Sequence, residues 1–457
     1  MSRSVHLVGI GGAGMSAIAR VLHGRGELVT GSDRAISLYS KGLDALGIKV
    51  SYGHAAANLG EVDLVLASSA IPLDNIELLT AQEKGIPVMR RDEFLPDLTA
   101  GYDTIAVAGA HGKTTTSGLI AWLLLQANLD PSFMVGGILQ DLKTNARKGG
   151  SSYFVIEADE YDRAFLGLSP KFAVITNVEH DHPDCYPTEE HFREAFRQFS
   201  GKVLDTLVVC QDDPGAASLK SPAPGRITYG LDPLADWRAE EIRANMAGGS
   251  DFLIVEAGET LGLARTRLPG LHNVRNVLGA LAVLSVIGVT FPEAREALTE
   301  YRGVGRRFQV LGSAAGVTVV DDYAHHPTEI KATLQAAREH YAEADLWAVF
   351  QPHTYSRIRA LLDGFTQCFD DANHVIVTEV FAAREQRDSD FSGEVIASKI
   401  EHPDVRFVPE IEQAALELLR EVRTGSVVIT LSAGDGNQVG TLLLEQIKAN
   451  EGEKDHG

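Results

Sequence analysis

The stretch VAGAHGKTTT at residues 107–116 decides the fold, because an apolar strand runs through a glycine loop into a helix that starts with lysine. Glycines let backbone N–H groups close around phosphate oxygens, and the helix N-terminus adds a favourable field. In a phosphate loop Lys113 reaches the outer phosphates and the Thr114 hydroxyl binds Mg²⁺. Val107 stands where the usual pattern has its first glycine. The strand–loop–helix context still favours a nucleotide site over a plain tight turn.

A second glycine loop lies near the N-terminus, where GIGGAG at residues 9–14 follows the apolar strand Val5–Val8. A helix from about Met15 to His23 comes next, and Asp33 follows about twenty residues after the loop, as in dinucleotide-binding folds. This pattern ends near Pro96. The loop indicates an anion at a helix start, and a structural turn without ligand is the alternative.

Two acidic clusters follow the phosphate loop at predicted strand ends. EADE at residues 157–160 follows the strand Tyr153–Ile156, and NVEHDH at residues 177–182 follows Phe172–Thr176. The carboxyl ends of neighbouring parallel strands converge on the crevice where a ligand sits. Carboxylates there can hold Mg²⁺ that bridges phosphate oxygens, although solvated acidic loops would look the same. Two clusters after a phosphate loop favour the metal interpretation.

The segment LPGLHNVRN at residues 268–276 precedes an apolar helix predicted over Val274–Ile287. Asn273 is in position to cap that helix, which is the commoner role of asparagine at such a site. Asn276 lies on the same face, three positions on. Together the two amides could instead read the edge of a nucleotide base.

Two motifs in the last third also follow predicted strands. They are DDYAHHPTE at residues 321–329 and QPHTYSRIR at residues 351–359. The two histidines of the first motif are adjacent, so they point apart, and the absence of HxxxH spacing argues against structural zinc. Arg357 and Arg359 suit binding of a carboxylate or phosphate.

Apolar strands alternate with helical patterns through much of the chain, which predicts an α/β fold with parallel layers. At 457 residues the chain is too long for one core, so several domains are expected. We place these domains at residues 1–100, 101–308 and 309–457. The glycine- and arginine-rich stretch Tyr301–Phe308 forms the second joint.

Two further stretches break this regular pattern. Within the central domain, short alternating stretches over Ile227–Arg267 predict antiparallel strands. The polar tail Lys448–Gly457 is expected to fray.

Composition narrows the partners and the compartment. The formal net charge of −21 argues against nucleic acids and anionic membranes, because both require a basic surface. No run of 18 apolar residues is long enough for a membrane span, and the glycines of residues 9–14 argue against a signal peptide. Three widely spaced cysteines make no disulfide framework and suit a reducing compartment. A cytoplasmic protein is expected.

These segments, taken together and in order, resemble the signatures of the Mur ligase family over nearly the whole chain. The matching segments are GIGGAGMSAIA (9–19), SSAIP (68–72), GAHGKTTT (109–116), EADEYD (157–162), TNVEHDH (176–182), HNVRN (272–276), GVGRRFQ (303–309), DDYAHHPTEI (321–330) and FQPHTYSR (350–357).

The resemblance implies three domains: a Rossmann-like UDP-binding domain, a central ATPase-like domain and a C-terminal Rossmann-like domain that brings in an amino acid. It also implies an ATP- and Mg²⁺-dependent ligase, monomeric or homodimeric. The alanine-adding branch, which joins L-alanine to UDP-N-acetylmuramate through an acyl phosphate, is the one resembled. A branch that adds a whole recycled peptide is the rival within the family. A nicotinamide-dependent oxidoreductase is an alternative, but it would leave the phosphate loop and both acidic clusters unexplained. A nucleotide-binding regulatory module without chemistry is another, which substrate-dependent phosphate release would exclude.

By the same resemblance, individual residues receive expected roles. The contacts to the UDP-sugar are Gly11, Ala13, Gly14, Met15, Ser32, Asp33, His54 and Ser69. The contacts to ATP are Gly109, Ala110, His111, Gly112, Lys113, Thr114, Thr115, His272, Asn273, Asn276 and Asp322. Those around the incoming alanine are Tyr323, His325, His353 and Arg357, those on the metal side are Thr114, Glu157 and His182, and the catalytic set is Lys113, His182, His353 and Arg357.

Two positions depart from the family pattern. Ala110 stands where many relatives have threonine, and Arg197 stands where several sibling ligases have a carbamylated lysine. How a second Mg²⁺ would be held is therefore open. The acceptor of the alanine proton is also open among His182, His353 and a water molecule.

Overall fold

The computed structural model describes residues 2–388 and 390–454 and shows an α/β protein with three sheet-containing domains. Each domain is built on one sheet, and the sheets follow one another along the chain. Within the described residues, no helix has the length and apolar character needed to cross a membrane.

The first sheet has five parallel strands. Its strands are β1 (Ser4–Val8), β2 (Leu28–Asp33), β3 (Lys49–Tyr52), β4 (Leu64–Ala67) and β5 (Val88–Arg90), in the order β3-β2-β1-β4-β5, and its helices are α1 (Ala13–Gly24), α2 (Leu38–Asp44), α3 (Ile76–Glu83) and α4 (Arg91–Thr99). Pro96 lies inside α4, so the regular pattern continues to Thr99 rather than ending near Pro96.

The second sheet has ten strands, and its centre is parallel. Its strands are β6 (Asp103–Ala108), β7 (Ser132–Leu139), β8 (Thr144–Arg147), β9 (Tyr153–Glu157), β10 (Phe172–Ile175), β11 (Thr206–Cys210), β12 (Gly225–Gly230), β13 (Trp237–Ala244), β14 (Ser250–Glu256) and β15 (Glu259–Arg265). Its helices are α5 (Lys113–Gln126), α6 (Glu189–Ser200), α7 (Pro214–Ala217), α8 (Leu271–Ile287) and α9 (Phe291–Glu300).

These strands run in the order β15-β14-β13-β12-β11-β10-β6-β9-β7-β8. The antiparallel prediction is confirmed for β13 to β15, but β12 pairs parallel with both of its neighbours. The prediction was wrong for β12 because this strand extends the parallel centre of the sheet, and the direction of its neighbours is not visible in its own residues.

The third sheet has six strands, and all but its first pair are parallel. They are β16 (Gln309–Ala314), β17 (Val317–Asp322), β18 (Asp345–Phe350), β19 (His374–Val377), β20 (Val405–Phe407) and β21 (Ser426–Leu431), in the order β16-β17-β21-β18-β19-β20. The helices are α10 (Pro327–His340), α11 (Tyr355–Ala360), α12 (Leu362–Thr366), α13 (Gly393–Ala397), α14 (Ile411–Glu421) and α15 (Gln438–Lys454).

The polar tail does not fray from Lys448, because α15 continues to Lys454. The Glu451 carboxylate accepts a hydrogen bond from the backbone N–H of Ala315, which ties this end to the third sheet. Residues 455–457 of the predicted tail lie outside the described residues.

Strand burial explains why the site lies at one edge of each sheet. From Thr104 to Ala108 every residue of β6 is buried, as are all six residues of β21. Strands covered on both faces by helices read as continuous apolar runs. Polar groups are therefore confined to the loops at the strand ends, where the carboxyl ends of parallel strands form a ligand crevice.

Candidate active site

A cleft of about 880 Å³ lies where the three domains meet, and each of them contributes to its wall. Gly14 comes from the first domain, Lys113 and Glu157 from the second, and His325 and His353 from the third. Both glycine loops therefore face one space, so a group held at the first loop can reach the second.

The phosphate loop needs glycine at two positions. Gly109 and Gly112 have φ angles of +143° and +80°, a region that side chains rarely adopt. A Cβ on Gly112 would also lie 2.6 Å from the Asn276 side-chain oxygen. The loop thus presents backbone N–H groups at the start of α5, where an anion is favoured.

The Lys113 ammonium lies over this loop. Its Nζ donates to the backbone oxygens of Gly109 (2.6 Å) and Ala110 (3.0 Å) and pairs with Glu160 Oε1 at 2.8 Å. Burial opposes its charge, but Glu160 and neighbouring carboxylates raise the pKa of Lys113. The side chain is therefore charged at neutral pH and stands beside the phosphate-binding backbone.

Hydroxyl and carboxylate oxygens lie beside Lys113. The Thr114 hydroxyl donates to Glu157 Oε1 at 3.0 Å, and Glu157 Oε2 accepts from the Gly136 N–H at 2.6 Å. Burial raises the pKa of Glu157, and the second oxygen of Glu160 is buried without a hydrogen-bond partner among the described residues. Hydroxyl and carboxylate oxygens are the donors that Mg²⁺ prefers, so these residues fit that ion.

The third expected metal-side residue, His182, lies close to this group. Its Nε2 is 3.5 Å from Glu160 Oε1, and its backbone φ is +54°. Burial opposes protonation, but Asp181 and Glu160 raise the pKa of His182. His182 therefore lies beside the carboxylates of the expected metal side, with its Nε2 directed at Glu160.

An ion pair links the second and third domains at the cleft. Arg357 Nε donates to Asp181 Oδ1 at 2.8 Å, and both side chains are about 95% buried. The other guanidinium nitrogens of Arg357 lie 3.1 Å from His353 Nδ1 and 3.3 Å from His182 Nδ1. Although burial alone would raise it, the charges of His182 and Arg357 hold the pKa of Asp181 well below its usual value.

The predicted alanine residues of the third domain gather at the same wall. Tyr323, His325, His353 and Arg357 all line the cleft. The rings of His325 and His353 meet edge to face at 5.8 Å. Burial and the Arg357 charge lower the pKa of His353 to about 3, and burial lowers that of His325 as well. Both imidazoles are therefore uncharged at neutral pH.

A second cavity of about 310 Å³ adjoins the phosphate loop, and it collects most of the predicted ATP residues. Those that line it are His111, Gly112, Thr115, His272, Asn273, Asn276 and Asp322, whereas Ala110, Lys113 and Thr114 line the larger cleft. Its size suits a nucleoside beside the loop.

The asparagine pair belongs to this second cavity. The N-cap of α8 is Gly270 rather than Asn273, so capping is not the role of Asn273. Asn276 Nδ2 donates to Asn273 Oδ1 at 3.0 Å, and Asn273 Nδ2 donates to the Pro269 carbonyl at 2.7 Å. These bonds hold both amides at the cavity wall.

Burial shifts the pKa values of two further residues that we expected to contact ATP, His272 and Asp322. Burial lowers the pKa of His272 to about 4 and raises that of Asp322 to about 6. The Asp322 carboxylate accepts from the N–H groups of Phe308 and Ala324, both at 2.7 Å. Asp322 therefore holds the joint between the second and third domains as well as facing the cavity.

His111 bridges the phosphate loop to the third domain. Its Nε2 donates to Glu179 Oε2 at 3.0 Å, and its Nδ1 lies 3.3 Å from Glu329 Oε1. Burial opposes protonation, yet these carboxylates raise the pKa of His111 to about 10. Glu179 also accepts from the Thr328 hydroxyl at 2.7 Å, which makes a second link to α10.

The expected UDP residues are more scattered. Ala13 and Gly14 line the cleft, whereas Met15 is buried in the core and Ser69 lies on an exposed turn. The Gly11 N–H donates to Asp33 Oδ2 at 2.8 Å, so Asp33 stabilises the conformation of the first glycine loop.

The remaining two of the expected UDP residues lie in a buried cluster. Ser32 donates to Glu77 Oε2 at 2.5 Å and lies 3.0 Å from His54 Nδ1. Glu77 is fully buried and also accepts from Asn58. The cluster fixes the turn after β3 at the edge of the first sheet.

Several functional side chains were missed by sequence reasoning. Arg307 and Glu329 line both cavities and lie 3.5 Å apart, and Glu160, Glu179 and Asp181 make the bonds described above. All five stand inside motifs that the sequence singled out, so position in a motif was the available signal. Their partners lie far away in the chain, which no local pattern shows.

Arg197 has no part in the cleft. It lies on the exposed face of α6, where its guanidinium pairs with Glu190 and Glu194 of the same helix. The position that holds a carbamylated lysine in sibling ligases therefore supplies no metal ligand here.

Comparison with protein families matches the chain in three parts. Residues 4–103 match the Mur ligase family catalytic domain, residues 107–284 the Mur ligase middle domain, and residues 306–434 the Mur ligase glutamate ligase domain.

Relatives and solved structures agree over almost the full length. The chain is 42% identical to the UDP-N-acetylmuramate–L-alanine ligase of Syntrophus aciditrophicus, covering 98% of this chain and 94% of the relative, and 40% identical to that of Roseiflexus castenholzii, covering 96% of each. The crystal structure of the UDP-N-acetylmuramate–alanine ligase of Thermotoga maritima superposes with a TM-score of 0.84 at 29% identity, covering 98% of this chain and 99% of the other. A murein peptide ligase of Psychrobacter arcticus gives 0.73 at 26% identity, with the same coverage. The chain belongs to the Mur ligase family.

Proposed function

We propose that the protein joins L-alanine to the lactyl carboxylate of UDP-N-acetylmuramate in the cytoplasm, using ATP, as a step of peptidoglycan precursor synthesis. The observation that carries this is the single cleft shared by the two glycine loops and the third-domain residues His353 and Arg357. The relatives named above point to the same substrates. The proposed domains are residues 1–100, 101–308 and 309–457, which place one sheet in each.

The first step activates the carboxylate. A carboxylate oxygen attacks the γ-phosphorus of ATP, the bond to the β-phosphate oxygen breaks, and ADP leaves behind an acyl phosphate. Two anions must approach one another, so Lys113, which lines the cleft, and Arg307, which lines both cavities, offset the repulsion. Mg²⁺, held by Thr114 and Glu157, would supply further charge neutralisation when bound.

The second step forms the amide. The Arg357 guanidinium suits the carboxylate of the incoming alanine, while its amine attacks the acyl phosphate and inorganic phosphate leaves. We assign the amine proton to His353, because burial and the Arg357 charge keep its imidazole uncharged and so able to accept a proton. An alanine carboxylate on Arg357 would offset the charge that lowers the pKa of His353 and make it a better base.

A phosphate-release assay tests this function. Purified protein with UDP-N-acetylmuramate, ATP and Mg²⁺ is given L-alanine, L-serine, glycine or the tripeptide L-alanyl-γ-D-glutamyl-meso-diaminopimelate, each separately. We expect the highest kcat/KM with L-alanine, and loss of turnover when EDTA removes the metal. Turnover with the peptide but not with L-alanine would contradict the proposal and favour the peptide-adding branch, to which the Psychrobacter arcticus structure belongs by its description.

A further inference from the structure

A short loop, residues 381–385, packs against the segment that carries His353 and Arg357. The Phe381 N–H donates to the Pro352 carbonyl at 2.8 Å, and the Thr354 N–H donates back to the Phe381 carbonyl at 3.0 Å. The Phe381 ring also stacks on His353, with centroids 5.7 Å apart and an angle of 14°. No role was expected for this loop from the sequence.

Glu385 makes the tightest contacts between the loop and that segment. One carboxylate oxygen accepts from the backbone N–H groups of Tyr355 (2.6 Å) and Ser356 (3.1 Å), and the other accepts from the Ser356 hydroxyl. Tyr355 and Ser356 are the first two residues of α11, and Arg357 is the third. The carboxylate thus holds the backbone directly before the arginine.

The chain at this point requires such a restraint. Thr354, which precedes α11, has a φ of +61°, an unfavourable conformation for a β-branched residue. Strained backbone persists only where its surroundings hold it in place. Here the restraints are the Phe381 carbonyl on one side of the bend and the Glu385 carboxylate on the other.

The loop is itself docked on the central domain. The guanidinium of Arg384, the neighbour of Glu385, lies 4.1 Å from the centre of the Tyr161 ring and 3.3 Å from Asp184. Glu385 therefore bonds to the start of α11, and its neighbour Arg384 contacts the central domain, which carries the phosphate loop. This arrangement fixes α11 relative to Asp181 and His182.

We propose that Glu385 is a positioning residue of the ligase reaction: it fixes the start of α11 so that Arg357 meets the carboxylate of the incoming amino acid. The proposal rests on the function proposed above. Glu385 itself lines neither cavity, so we expect its loss to act on the amino-acid step through Arg357. A misplaced binding group of this kind costs on the order of tenfold to a hundredfold in rate or affinity.

The test compares Glu385→Ala and Glu385→Gln with Glu343→Ala, which removes an exposed glutamate of the same domain. We expect Glu385→Ala to raise the KM for L-alanine about tenfold or more, with the KM values for ATP and UDP-N-acetylmuramate changed less than about twofold. Glu385→Gln should be intermediate, because the amide oxygen can still accept from the backbone N–H groups. In an Arg357→Lys background, Glu385→Ala should add little further loss, since the group it positions is already altered.

A KM for L-alanine like that of the wild type in Glu385→Ala, with only a lower Tm, would overturn the proposal. So would an equal rise of all three KM values. If circular dichroism shows that Glu385→Ala does not fold, Glu385→Gln decides, and an unchanged KM for L-alanine in that variant overturns the proposal. A wild-type protein that makes no product with L-alanine refutes the proposed function instead, so the two failures are distinguishable.

Discussion

Lys113 places a buried positive charge at the phosphate loop. Its side chain is about 87% buried, and its ammonium lies among backbone oxygens of the phosphate loop beside Glu160. We expect Lys113→Ala to fold normally and to lose on the order of 10³-fold in kcat, because it removes one of the positive charges that stabilise the transferring γ-phosphoryl group. Phosphate release measures the loss, and Lys331→Ala, at an exposed position, is the control. Near-wild-type turnover would contradict the role of Lys113.

At the scale of elements, the phosphate loop and helix α10 are joined through His111. The imidazole of an unfolded chain titrates near 6.5, whereas in the folded protein the pKa of His111 is raised to about 10. The bridge to Glu179 and Glu329 therefore stabilises the fold fully below pH 6.5, and its contribution is lost as the pH rises toward 10.

Urea unfolding at several pH values tests this bridge. His111→Asn should lower the free energy of unfolding strongly at pH 6 and much less near pH 10, where the wild-type imidazole is itself losing its proton. His23→Asn, on the exposed face of α1, is the control. An equal loss at pH 6 and pH 10 would show that the imidazolium does not stabilise the contact.

The whole molecule is held closed by contacts between the second and third domains. The buried pair Asp181–Arg357 is central to them, and Thr328–Glu179 and Arg384–Asp184 surround it. Removing one partner of a buried pair leaves the other charge uncompensated, which costs about 3–5 kcal/mol. The loss destabilises the arrangement in which the second and third domains are in contact. When the third domain separates, Arg357 is exposed to water and its charge is no longer buried.

Asp181→Asn should therefore shift the protein toward an open arrangement. We expect a larger radius of gyration in small-angle X-ray scattering and a fall in kcat/KM for L-alanine. Asp251→Asn, which breaks an exposed pair with Arg265 at the far edge of the second sheet, removes the same charge without this effect. A radius of gyration that is unchanged by Asp181→Asn would show that the pair does not hold the domains together.

Local patterns were enough for the strands and for the two glycine loops. The predicted strands around Val5–Val8, Tyr153–Ile156 and Phe172–Thr176 are present, because buried parallel strands are continuous apolar runs. The fold class, the family and the function class all followed from such segments. Such segments are recognisable because neighbouring residues specify the local backbone conformation and the short spacings within a motif.

Only the tertiary structure decided which side chains meet. Arg357 and Asp181 are 176 residues apart in the chain and 2.8 Å apart in the cleft. Ser32, which we expected to contact the UDP-sugar, instead donates a hydrogen bond to the buried Glu77. Glu385 lies in no motif that the sequence singled out. The partner of a polar side chain depends on which strand ends the packed sheets bring together, and that is a property of the assembled molecule rather than of any segment.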